Sequence, residues 1–242
     1  MHGVGWTLVS LNKRYVTAAA ILQAACLAGC GDDALPVAGN TATTVEKTAT
    51  AARPAGEERL VLAFGDSLYA GYQLGRGQSL PDAVQNRLRA AGINATLVNA
   101  GVSGDTSAAG RQRLAFALDN LPRKPDLVLL GLGGNDVLRQ IPAAETRANL
   151  VAMLDELRRH EVPVVLTGMV APPNLGPEYV AAFNAIYTDL AREYGVALYP
   201  FILDGVIGDP ALMLPDRIHP NAKGVERVAD RVTPLVAQRL AD

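Results

Sequence analysis

Cysteine and histidine are scarce in this chain, and their scarcity narrows the chemistry before any motif is considered. There are two cysteines, Cys26 and Cys30, and three histidines, His2, His160 and His219. Both cysteines precede residue 31, so the remainder has neither a disulfide nor a thiol nucleophile. With His2 in the leader, His160 and His219 are too few for a zinc site unless carboxylates or another chain supply most ligands. We therefore expect no metal. An excess of positive charge is also lacking: 22 Lys and Arg stand against 24 Asp and Glu, a formal net charge of -2. That mild acidity leaves no electrostatic footprint for nucleic acid.

What the first residues do contain is a leader. Lys13 and Arg14 precede a mostly apolar run from Tyr15 to Leu27. The run suits the apolar region of an export signal and falls short of the roughly 20 residues that a membrane-spanning helix needs. It ends Leu27-Ala28-Gly29-Cys30, which resembles the lipobox of bacterial lipoproteins. That resemblance implies a lipoprotein-type signal peptide over residues 1–30, with Cys30 as the lipidated residue. The expected protein is exported, periplasmic and held to a membrane through an N-terminal lipid anchor. Residues 31–58, dominated by Ala, Thr, Gly, Pro and Asp without apolar periodicity, read as a flexible linker. Residues 59–242 are long enough for one substantial core.

Within that domain, short β-rich apolar runs alternate with longer segments of helical period. The predicted strands are Leu60 to Phe64, Thr96 to Asn99, Leu127 to Leu130, Val164 to Thr167 and Ala197 to Phe201. Leu127-Val128-Leu129-Leu130 and Val164-Val165-Leu166 are apolar throughout, as strands covered on both faces should be, so the sheet is expected to be parallel. Predicted helices run over Leu80 to Ala91, Ala108 to Asn120, Glu145 to His160, Tyr179 to Tyr194 and Ala222 to Leu240. Gly92 and Gly195 stand where helices end. The fold class is α/β, a three-layer α/β/α sandwich around a flavodoxin-like parallel sheet of five strands.

Ligands bind beyond the carboxyl ends of strands in such sheets, so the loops there come first. Phe64-Gly65-Asp66-Ser67-Leu68 follows the first strand, and Asn99 to Ser107, containing Ser103-Gly104-Asp105-Thr106-Ser107, follows the second. Gly131-Leu132-Gly133-Gly134-Asn135-Asp136 follows the third, and Asp216-Arg217-Ile218-His219-Pro220-Asn221 lies near the C-terminus. Taken singly each has a plain structural reading: a Gly-Asp-Ser turn can merely cap a helix, and a glycine-rich loop can merely permit close packing. The third loop lacks the Gly-x-Gly-x-x-Gly spacing of a dinucleotide site.

Taken together the four segments match, in order, the signature blocks of the SGNH (GDSL) hydrolases, carried here by Ser67, Gly104, Asn135 and His219. Ser67-Leu68-Tyr69-Ala70-Gly71-Tyr72, the Ser103 to Ser107 run and Pro173-Asn174-Leu175-Gly176 resemble the thioesterase I, arylesterase and lysophospholipase branch. The resemblance covers nearly all of Arg59 to Leu240. It implies a serine hydrolase whose oxyanion donors are the backbone N–H groups of Ser67 and Gly104 and the side-chain amide of Asn135. Two positions depart from the pattern: Leu175 replaces an aromatic residue, and Arg217 stands where glycine is frequent.

The chemistry of these residues is sound independently of the family. A serine hydroxyl needs a base within hydrogen-bond reach, and His219 is the one histidine after the leader that lies in a predicted loop. Asp216, three residues earlier, can hold its other nitrogen. Pro220 biases His219 toward extended backbone, so Asp-x-x-His is predicted to be a bent loop. Glycine at 104 suits a close approach to substrate. The sequence around Ser67 is not the Gly-x-Ser-x-Gly elbow of the ordinary α/β-hydrolase. His160, beside Arg158, Arg159 and Glu161, reads as a solvated helix-end side chain.

The leading expectation is hydrolysis of carboxylic esters through an acyl-Ser67 intermediate, the substrates being aryl and short- or medium-chain esters, acyl thioesters and lysophospholipids. It requires no cofactor, and its partner is a small-molecule ester or lipid. Val137, Leu138 and Ile141 are expected to border the acyl pocket, facing Met169, Val170 and Pro172. Two other readings stay open: an O-acetyl esterase acting on envelope polysaccharide, and a non-catalytic envelope-binding module.

Overall fold

The computed structural model describes residues 53–241, and the expected signal peptide, Cys30 and most of the linker lie outside the described residues. Strand β1 (Arg59–Gly65) leads through two helices, α1 (Ser67–Ala70) and α2 (Leu80–Ala90), to β2 (Ala95–Gly101). Helix α3 (Ser107–Asp119), β3 (Leu127–Gly131), α4 (Gly134–Leu138), α5 (Ala143–Arg159) and β4 (Val164–Thr167) follow. A short 3-10 turn (Pro173–Leu175), α6 (Pro177–Tyr194), β5 (Ala197–Tyr199) and α7 (Ala222–Ala241) complete the chain.

All strand pairings are parallel, and the order is β2-β1-β3-β4-β5. This is the flavodoxin-like order, with the winding reversed between β1 and β3. Alternate strand residues feed two separate cores. Val61, Ala63, Leu127, Leu129 and Val165 pack under α2 and α7, while Leu62, Phe64, Val128, Leu130 and Leu166 pack under α3, α5 and α6. Burial on both faces accounts for the unbroken apolar runs and for the parallel sheet.

Helix ends follow local chemistry. Ser79 and Asp82 close a capping box at the start of α2, and Thr106 accepts from Ala109 N–H at 3.3 Å to cap α3. Gly195 ends α6 with φ 64°. Three expectations shift: β5 stops at Tyr199 because Pro200 has no N–H to give the ladder, the Ser67 turn, read as a loop, is the helix α1, and Gly134 to Asp136, also read as loop, open the helix α4.

Close packing at the sheet's carboxyl edge sets the position of α1. A Cβ on Gly65 would lie 2.4 Å from the Tyr69 ring, and one on Gly131 would lie 2.3 Å from Thr167 Oγ1 and 2.5 Å from Tyr69. Glycine at both strand ends lets the buried Tyr69 drop between them, where its hydroxyl meets Thr167 Oγ1 at 2.8 Å. Ser67 is thereby seated over the point where the winding reverses.

Candidate active site

Ser67 is the first residue of α1 and only 9% exposed. Asp66 caps the helix, its Oδ1 accepting from Leu68 N–H at 3.0 Å. As a first-turn residue, Ser67 has a backbone N–H with no acceptor inside the helix. Asp66 itself is buried, and burial pushes its carboxyl up to about 6, with Asp105 and Asp136 adding to the rise and the Leu68 N–H and His219 opposing it.

The partner comes from the other end of the domain. His219 Nε2 lies 2.9 Å from Ser67 Oγ, and His219 Nδ1 lies 2.7 Å from Asp216 Oδ2. Asp216 Oδ1 accepts from the backbone N–H of Ile218 at 2.9 Å and of His219 at 3.0 Å. Burial alone would raise the Asp216 carboxyl, but these hydrogen bonds and the facing imidazole outweigh it and hold the group below the ordinary carboxylate range.

The bend that allows this is fixed by backbone pairing. Leu214 N–H donates to His219 O at 2.7 Å, Arg217 N–H donates to Leu214 O at 2.9 Å, and Met213 bridges Pro220 in antiparallel fashion. Arg217 takes a positive φ of 59° to make the turn. Asn221 ties the loop to α7 by accepting from Gly224 N–H at 3.0 Å. Tyr72 covers the imidazole, with ring centroids 4.4 Å apart.

Gly104 and Asn135 stand on the two loops that flank Ser67. Gly104 has φ +86°, a left-handed conformation suited to glycine. Asn135 Nδ2 donates to Asp105 O at 2.9 Å, which uses one of its two amide hydrogens and leaves the second. A cavity of about 400 Å³ opens beside Ser67, Asn135 and His219. Val137, Leu138, Met169, Val170 and Pro172 line it, together with Ala171, Phe201, Leu203, Ile207 and Ile218. Ile141 does not. Helix α4 ends at Leu138 and Gln140 turns left-handed at φ 52°, so the chain has left the mouth before Ile141, whose carbonyl instead accepts from Tyr179. His160 caps the end of α5 with Nε2 3.0 Å from Glu156 Oε1, away from these groups.

Three supporting residues escaped the sequence reading. Asp136 is fully buried and accepts from Ser107 N–H at 2.8 Å, from the Ser107 hydroxyl and from Thr146 Oγ1 at 2.9 Å, so it fastens α4 to α3 and α5. Its place beside Asn135 was the available signal. Arg113 donates to Asp105 Oδ2 at 2.5 Å, to Ala100 O at 2.8 Å and to Gly65 O at 2.8 Å, and lies 3.9 Å above the Phe64 ring. Nothing local marks it apart from the two-turn spacing from Asp105. The burial of Asp66 likewise depends on neighbours remote in sequence.

Residues 63–227 match the GDSL-like Lipase/Acylhydrolase family. The chain is 40% identical over 176 residues to esterase TesA of Pseudomonas aeruginosa, covering 73% of this chain and 87% of that one. It is 39% identical over 191 residues to an arylesterase of Vibrio mimicus, covering 79% and 92%. The crystal structure of AlinE4, a SGNH-hydrolase family esterase, shares 50% identity at a TM-score of 0.66 and covers 76% of this chain and 97% of that one. With its fold, its ordered blocks and this similarity across the domain, the chain belongs to the GDSL-like lipase/acylhydrolase family of SGNH hydrolases.

Proposed function

We propose that the protein is a serine esterase that hydrolyses carboxylic esters through an acyl-Ser67 intermediate, with Asp216 and His219 as its proton-handling pair. The observation that carries this is the unbroken hydrogen-bonded chain from Ser67 to His219 to Asp216 at the edge of an apolar cavity. Asp216 accepts from Nδ1–H and so leaves Nε2 free to take the serine proton. As Ser67 Oγ bonds to the substrate carbonyl carbon, the carbonyl oxygen becomes an oxyanion. The Ser67 and Gly104 backbone N–H groups and the second Asn135 amide hydrogen are the donors for it. Collapse breaks the bond to the leaving alcohol, which takes the proton back from His219 Nε2. Water then gives a proton to His219 as its oxygen bonds to the acyl carbon, and collapse breaks the bond to Ser67 Oγ, which takes that proton from Nε2 as the carboxylic acid leaves.

The apolar walls favour aryl and short- or medium-chain acyl groups, and acyl thioesters and lysophospholipids carry the same reactive carbonyl. No step calls for a cofactor. A fluorophosphonate probe should label the wild type and fail to label Ser67→Ala, which should also lose turnover of nitrophenyl esters. Equal labelling of the variant would remove Ser67 as nucleophile, and a wild type that is neither labelled nor active would leave a binding module. Strong preference for acetyl over medium-chain esters would favour the polysaccharide O-acetyl esterase.

The leader supports an exported, periplasmic enzyme attached to a membrane through lipid on Cys30. Metabolic labelling with palmitate should mark the full chain and not Cys30→Ala, and an unlabelled wild type found free in the periplasm would oppose the anchor.

A further inference from the structure

Most arginines around the domain are occupied. Arg113 holds Asp105, Arg147 pairs with Glu193, Arg192 with Asp189 and Arg231 with Asp204. Arg217 is different. It is exposed, it lines the cavity beside His219, and among the described residues it forms no ion pair. Its neighbour Asp216 forms no ion pair with it and instead accepts from Ile218 and His219. Asp66, a carboxyl that does line the cavity, is buried.

The side chain is also presented from a fixed base. Arg217 N–H is tied to Leu214 O at 2.9 Å, and the same turn is locked by the Asp216 hydrogen bonds that orient the imidazole. Its φ of 59° is one that glycine adopts without penalty and a side chain does not. The surrounding rim is apolar: Leu138, Val170, Ile207 and Ile218 line the cavity at 58%, 42%, 51% and 41% exposure. A cation lining an otherwise apolar rim, beside the group that moves the proton, fits a ligand with an apolar body and an anionic substituent near its ester.

We propose that Arg217 is an anion subsite at the mouth of the cavity, selecting esters that bear a carboxylate or phosphate, a reading that rests on the esterase function of the same site. The negative group can belong to the acyl chain or to the leaving alcohol, and matched substrate pairs separate the two. For the acyl arm, the nitrophenyl monoester of glutaric acid is compared with nitrophenyl pentanoate. For the alcohol arm, the butyrate ester of hydroxybenzoic acid is compared with that of its methyl ester. In each arm the readout is the ratio of kcat/KM for the anionic ester to that for the neutral one.

In at least one arm Arg217→Gly, which suits the left-handed turn, should lower the ratio about fivefold, and Arg217→Glu about tenfold or more. Arg217→Lys should keep most of it. Arg192→Glu, the same charge change near the C-terminal end of α6 at the opposite edge of the sheet, should leave the ratio where it was. High salt should shrink the wild-type ratio, since screening at about 1 M acts within about 3 Å. A shift confined to one arm supports the subsite and assigns it to the acyl or the alcohol side. Ratios unmoved in both arms by Arg217→Gly and Arg217→Glu overturn the inference while the esterase reading stands. So does an equal shift in Arg192→Glu. If the wild type hydrolyses none of the four esters, both readings fall together.

Discussion

Asn135 has one amide hydrogen committed to Asp105 O and a second that the proposed mechanism assigns to the developing oxyanion, and this division fixes what its loss should do. Asn135→Ala should lower kcat by about two to three decades with modest change in KM, because the donor acts mainly on the transition state. A drop of tenfold or less would take it out of the oxyanion hole. The Asp216 carboxyl is held below the ordinary carboxylate range, so the charge that orients His219 persists to more acid pH than a free carboxylate would allow. Turnover should fall when pH drops far enough to protonate that carboxylate. Asp216→Asn should keep the loop but lose the orienting charge, with a severe loss of turnover and little loss of stability. His160→Ala, whose target pairs with Glu156 at a helix end away from Ser67, should be nearly silent. Steady-state pH-rate profiles of the three proteins side by side decide this. An active Asp216→Asn, or a crippled His160→Ala, is incompatible with the assignment.

Among elements, the connection that matters most is made by one side chain. Arg113 on α3 reaches the carboxyl ends of β1 and β2 through Gly65 O and Ala100 O, and it fixes Asp105, whose own carbonyl receives Asn135 from α4. Removing it takes a donor from a half-buried carboxylate and from the Ala100 carbonyl, and leaves Gly65 O with the Val102 N–H. Arg113→Ala should therefore cost about 2 to 4 kcal/mol in urea unfolding. Turnover of the folded variant should fall at least about tenfold as the Gly104 and Asn135 loops drift. Lysine, lacking the planar fork, should restore little of either. An Arg113→Ala enzyme with wild-type kcat and KM would show that the two loops hold their geometry without the clamp.

Across the whole domain, stability should carry the mark of Asp66. Its folded carboxyl titrates at about 6 against an ordinary value of 3.8, so the protonated form is the one the fold prefers. Its contribution is fully present below about 4 and is lost as pH rises through about 6, opposite in sign to that of Asp216, which is present above the ordinary carboxylate value and lost on acidification. Asp66→Asn keeps a capping acceptor without the charge. The unfolding free energy of Asp66→Asn relative to wild type should therefore climb by about 3 kcal/mol between pH about 4 and pH about 6. Chemical denaturation of both proteins at several pH values measures it, and a difference that stays flat would mean that Asp66 ionises freely in the fold.

The sequence by itself determined the elements and the chemistry's cast. Apolar runs fed by two cores wrote the parallel strands directly into residues such as Leu127 to Leu130, and the order of Ser67, Gly104, Asn135 and His219 named the family. Both are local properties: side-chain periodicity follows from backbone geometry, and a capped turn from the residues within it. Only the tertiary structure decided that Ser67 and His219, 152 residues apart, meet at 2.9 Å, that Arg113 joins two strand ends to Asp105, and that Gln140 turns Ile141 away from the cavity. It also decided that Asp66 is buried while Arg217 stands exposed at the mouth with no ion pair among the described residues. Such facts depend on strand order, on the layer each helix joins and on how deeply a group is desolvated, and no window of neighbouring residues contains them.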